Sequence, residues 1–67
     1  MAIMKVVEVM ADSSKSWEDA TRRAVKEASK SIKNIRSVWI KDQSCSVEDG
    51  EVSRYRVTAK ISFEVDR

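Results

Sequence analysis

The sequence predicts an α+β domain in which a three-stranded antiparallel sheet wraps on one helix, in the order β-α-β-β. Three observations carry this. "IMKVVEVM", residues 3–10, is a β-branched run, and residues 16–34 hold a single apolar stripe at helical spacing. From Ser37 onward the period changes to two, and the alternation is split once by Asp49-Gly50.

The first strand is expected over residues 3–10, ending in the polar cluster "ADSSKS", with Val7 and Val9 on one face and Val6, Glu8 and Met10 on the other. The helix starts at a capping signal. Ser16 can accept from first-turn amides, and Asp19, three residues on, is placed to reach back as in a capping box. Trp17, Ala20, Ala24, Val25, Ala28 and Ile32 form the stripe, opposite Arg22, Arg23, Lys26, Glu27 and Lys30. The alanines leave room for close approach to a sheet. The helix is expected to end near Asn34, a residue that tolerates left-handed geometry.

"SVWIKDQSCSV" reads as the second strand, with Val38 and Ile40 on its apolar face. Asp49-Gly50 then supplies a hairpin turn, because both central residues of such a turn need positive φ. In "SRYRVTAKISFEV", Tyr55, Val57, Ala59, Ile61, Phe63 and Val65 alternate with polar residues. This longest apolar strand is expected in the middle of the sheet. The outer face then collects Ser37, Trp39, Lys41, Arg56, Thr58 and Lys60. One helix cannot cover both faces, so a polar face carrying a tryptophan is a surface that needs a partner.

Sixty-seven residues form one domain, 1–67, near the lower limit for a self-sufficient core. Cys45 is the only cysteine and there is no histidine, so neither an internal disulfide nor a structural zinc site can supplement that core. Self-association remains. Thirteen basic and eleven acidic side chains give a formal +2, too balanced for nucleic acid or an anionic membrane as the main partner. No apolar run approaches the roughly 20 residues of a membrane span. The N-terminus lacks the pattern of a secretory signal, and a lone reduced cysteine fits the cytoplasm, where the chain is expected to reside.

"KVVEV", "SWEDATRRAVKEA", "IRSVWIKDQ" and "YRVTAKISFEV" resemble the dodecins without a gap from about Lys5 to Val65. The resemblance implies a hollow shell of twelve copies with cubic symmetry, and flavin (riboflavin or FMN) bound between subunits. In flavin-binding members a tryptophan opens the second strand and stacks on the ring, while a glutamine on the third strand hydrogen-bonds the ring's polar edge. Those positions fall here on Ser37 and Arg56. Neither residue type is kept, and the sequence looks closer to the branch that lacks the tryptophan, part of which is associated with calcium.

Trp39 lies two residues beyond the family position and projects from the same face, displaced by about 6–7 Å along the strand. It reads either as a subunit-interface tryptophan or as a stacking platform for a planar ligand. Arg56 reads either as an ion-pair partner across the sheet, with Glu8 a candidate, or as a donor to a phosphate, a carboxylate or a ring carbonyl. Glu48, Asp49 and Glu51 form a solvated hairpin tip or, less typically in spacing, oxygen ligands for calcium. There is no activated-serine motif and no phosphate-cradling glycine loop, Gly50 being the only glycine. The chain therefore reads as a non-enzymatic small-ligand binding or storage shell, with Ser37, Trp39 and Arg56 lining an altered flavin-type site. A calcium-binding or purely structural shell is the alternative.

Overall fold

The computed structural model describes residues 2–65. The chain forms β1 (Met4–Ser13), α1 (Trp17–Ala28), β2 (Ile35–Glu48) and β3 (Glu51–Glu64). The sheet order is β1-β3-β2 with both pairings antiparallel, so the long apolar strand is central, as its pattern demands. The turn between β2 and β3 has φ 52° at Asp49 and 77° at Gly50, the two left-handed residues that the Asp-Gly pair anticipates.

β1 runs three residues past its expected end at Met10, because Ala11, Asp12 and Ser13 stay in register with Val57, Arg56 and Tyr55. Polar side chains in this stretch do not break the strand, since the central strand offers them a full ladder. Ser13 then closes the connection to the helix. It is buried, its hydroxyl donates to Asp19 Oδ2 at 2.6 Å, and it accepts from the Lys15 amide at 2.9 Å.

The helix starts where expected, with the Ser16 hydroxyl accepting from the Asp19 amide at 2.9 Å. Only that half of the capping box forms. The Asp19 carboxylate turns instead to the Ser13 hydroxyl and to Arg23 Nε at 2.7 Å. The helix also ends six residues before Asn34, at Ala28. Ser29 and Ser31 follow, and the Ser29 hydroxyl donates to the Lys26 carbonyl at 2.7 Å, the local side-chain bonding that competes with helix continuation. Asn34 does adopt the left-handed conformation, φ 63°, but it uses it to turn the chain into β2. Ile32, expected on the helical stripe, lies in this connection.

Period two is not continuous along β2. Register shifts lie between Ile35 and Ser37 and between Ile40 and Asp42. The residues opposite the inward side chains of β3 are therefore Ile35, Val38, Ile40, Gln43 and Cys45, spaced three, two, three and two. The bulges strengthen the twist of a strand that has to follow a sheet curling over one helix.

The core is small. Ala20 and Ala24 from α1 meet Val57, Ala59 and Ile61 from β3, all at 7% exposure or less. Trp17 closes one end of it, edge-on to Tyr55 with centroids 5.2 Å apart and its indole N–H donating to the Ser44 carbonyl at 3.1 Å. α1 packs on β1 and β3 and leaves most of β2's inner side open. The radius of gyration is 13.8 Å, against roughly 11 Å for a compact chain of this length. The accessible surface is 5036 Å², where about 4,300 Å² is usual for 7.6 kDa.

Candidate functional site on the open sheet face

The face of the sheet turned away from α1 is built in rows across the three strands. Val6, Ser62 and Ser37 make one row. Glu8, Lys60 and Trp39 make the next, followed by Met10, Thr58 and Asp42, and then by Asp12, Arg56 and Ser44. Large apolar side chains are left in solvent there: Met4 at 45%, Val6 at 59%, Met10 at 64% and Trp39 at 66% exposure. The last three stand around the Glu8–Lys60–Trp39 row. Isolated exposed apolar residues are ordinary, but a cluster with polar groups at its rim marks a contact surface.

Trp39 stands on the outer sheet face, as the strand period requires. Lys60, directly across on β3, places Nζ 5.3 Å from the Trp39 ring centroid, within cation–π range. Lys41 Nζ reaches Glu8 Oε2 at 3.5 Å, so the carboxylate expected for Arg56 is engaged by Lys41. Two residues from Trp39, the Ser37 and Ser62 hydroxyls hydrogen-bond across the strand pair. Ser37 and Trp39 thus share one patch about 6–7 Å apart along the strand.

Arg56 is on the same face but not in the same patch. It is four residues along β3 from Lys60, about 13 Å. Its guanidinium grips Asp12 through two contacts, Nε donating to Oδ1 at 2.7 Å and the terminal Nη2 donating to Oδ2 at 3.1 Å. The ion pair across the sheet exists, therefore, with Asp12 in place of Glu8. The twist and register bring Asp12 directly opposite Arg56, while Glu8 is opposite Lys60. This fork-to-carboxylate contact holds the Asp12 carboxyl below its usual range, mainly by the hydrogen bond from Arg56, and raises Arg56 further.

Lys60 is the side chain at the Trp39 patch that the residue pattern alone does not single out. The signal was available: in an antiparallel pair, the residue facing a tryptophan follows from register, and register follows from where the bulges fall. Among the described residues, no group of three or more Asp, Glu, His or Cys side chains converges as a metal cage. No helix among the described residues is long and apolar enough to cross a membrane.

This geometry can be set beside known proteins. The Dodecin family profile matches residues 3–66. Calcium dodecin from Mycobacterium tuberculosis is 31% identical over 65 residues, covering 97% of this chain and 92% of the relative. Its crystal structure, described as that of a calcium-chelating antigen with a novel calcium-binding site, superposes with a TM-score of 0.82 over 96% of this chain and 91% of that one. Dodecin from Streptomyces coelicolor gives a TM-score of 0.93 at 26% identity, over 98% and 94% of the two chains. A family match over almost the whole chain, with the same β-α-β-β sheet, establishes that this chain belongs to the dodecin family.

Proposed function

We propose that this protein is a non-catalytic small-ligand binding and storage protein, a homododecameric shell whose ligand sites lie between subunits around Trp39. The observation that carries this reading is the tryptophan, two-thirds exposed at the centre of the open face with apolar Val6 and Met10 beside it. An indole in that setting loses little on being covered and gains the apolar area it buries, about 25 cal/mol per Å². The surface excess of the single chain, roughly 700 Å² over a compact monomer, approaches the 800 Å² or so that one partner commits to a standard interface.

A flavin, riboflavin or FMN, suits the patch chemically. Trp39 offers a face for the isoalloxazine ring. Ser37 can donate and accept at a polar ring edge, and Lys60 can donate to a carbonyl or neutralise a phosphate. Arg56 is a poorer contact than its place in the family suggests, because Asp12 occupies its fork. Affinity is accordingly weaker than, or different from, that of a site built on the family's tryptophan and glutamine. The likeness of the sequence to the branch without that tryptophan supports the same expectation. The second reading is a calcium-binding or purely structural shell, favoured by the 31% identical relative that is a calcium dodecin.

Titrating the protein into riboflavin and into FMN, with Trp39→Ala in parallel, tests the first reading. Quenching of flavin fluorescence with micromolar affinity, lost in the variant, is the expected result. An assembled shell that quenches neither flavin sinks the flavin reading. In that case a thermal midpoint that rises with calcium and falls with chelator supports the second, since a ligand held only by the native state stabilises it by mass action.

A further inference from the structure

Most charged side chains of the open face are paired. Glu8 is held by Lys41, Glu64 by Arg36 and Asp12 by Arg56. In the rows around Trp39 two groups have no ion-pair partner among the described residues, Lys60 and Asp42. Their settings differ. Asp42 is exposed, one row beyond Lys60 and opposite Thr58. Lys60 is half-buried on the central strand, and its ammonium lies 5.3 Å from the Trp39 ring centroid, not on a carboxylate. Glu8, directly opposite Lys60 on β1, is engaged by Lys41 instead. On the side of Lys60 away from Asp42, Ser37 and Ser62 face each other with their hydroxyls hydrogen-bonded together.

That ammonium sets a condition on whatever covers the indole. A neutral ring stacking on the face that Lys60 occupies must push the ammonium aside and gives it nothing in return. A cover that leaves it beside the ring buries a positive charge without a counter-ion, which is costly away from water. A planar ligand with its own negative group avoids both losses. Its ring takes the indole, and its anion takes the ammonium in a charge-assisted hydrogen bond that strengthens as water leaves. Asp42 repels an anion from its own side. The negative group therefore belongs toward Ser37 and Ser62, whose hydroxyls can also donate to it.

Resting on the flavin reading above, we infer that Lys60 is the specificity-determining residue of the Trp39 site, selecting planar aromatic ligands that bear an anionic group over neutral ones with the same ring. The work is divided between two strands, Trp39 on β2 for stacking and Lys60 on β3 for charge. Arg56 cannot take this role, because Asp12 closes its guanidinium about 13 Å away along β3.

FMN and riboflavin share one ring and differ by a phosphate, so their affinities for the full chain isolate the charge. Fluorescence titration should show FMN binding roughly 10-fold tighter, the scale of one charge-assisted hydrogen bond. Raising salt from about 0.05 to 0.5 M should weaken FMN and leave riboflavin unmoved. Lys60→Met, which keeps the apolar stem, should bring the two affinities together by weakening FMN more than riboflavin. Lys60→Arg should restore the preference. Circular dichroism and light scattering check that each variant folds and assembles as wild type does, and if Lys60→Met does not, the wild-type salt series decides. A chain that binds neither flavin overturns the flavin reading and this inference with it. Equal affinities in wild type, or an FMN preference that ignores salt or persists in Lys60→Met, leave the flavin reading standing and overturn the role of Lys60.

Discussion

The two faces of the central strand differ more than any other pair of regions in the molecule. On the inner face Val57, Ala59 and Ile61 have no exposed surface, closed over by Ala20 and Ala24 of the helix. On the outer face, in the alternate rows of the sheet, Val6, Met10 and Trp39 are mostly exposed. Along β3 the inner face is finished within the chain, whereas the outer face of the sheet is not. A chain of 67 residues can cover only one side of a three-stranded sheet with a single helix, and the side it leaves open is where other copies and ligands can act.

The largest expected effect falls on the finished face. Ile61→Ala removes one of the two largest fully buried side chains and should destabilise the fold by about 2–5 kcal/mol, read as a lower urea midpoint. Trp39→Ala tests the opposite face. It should leave the far-ultraviolet spectrum unchanged while costing about 1.5–3 kcal/mol in whatever covers the indole, whether subunit or flavin. If Ile61→Ala and Trp39→Ala unfold the chain equally, the two faces are not different in kind.

Smaller effects come from the turn and from the ion pair. Gly50→Ala meets no atom within 4 Å, so its expected cost of about 1–2 kcal/mol is purely that of a left-handed backbone carrying a Cβ. It should appear as a lower midpoint with unchanged mass. Asp12→Asn should act most at neutral pH, where the carboxylate is charged and paired with Arg56, and least in acid, where wild type loses the pair as well. Hydrogen bonds and nearby charge depress the folded-state pKa of Asp12, Asp19 and Glu27, led by Arg56, Ser13 and Lys30 respectively. A carboxylate with a depressed pKa contributes stability above its unfolded value and loses it as pH falls through the folded one. Stability should thus hold from neutrality to about pH 4 and decline below, less steeply in Asp12→Asn than in wild type.

Much of this was legible in the residues. Alternation in "SRYRVTAKISFEV" placed β3 in the centre, and Asp49-Gly50 placed the turn, because each rests on a local rule that tertiary packing did not oppose. The helix end was not legible from Asn34 alone, since a left-handed asparagine suits a strand start as well as a helix end. Ser29 and Ser31 were the better signal. At the candidate site, Trp39 on the open face followed from periodicity. Its pairing with Lys60, and that of Arg56 with Asp12, did not, because two bulges in β2 and three extra residues in β1 set which rows meet. The apolar spacing Ile35, Val38, Ile40, Gln43, Cys45 carries those bulges only for a reader who already knows which side faces the helix.

The central claim is that copies of the chain complete the burial that a single copy leaves half done. Sedimentation of the purified protein at micromolar concentration addresses it most directly. A particle near twelve times the 7.6 kDa chain mass, dissociating together with loss of the folded signal, is the predicted result. A folded, stable species at the mass of a single chain would contradict it.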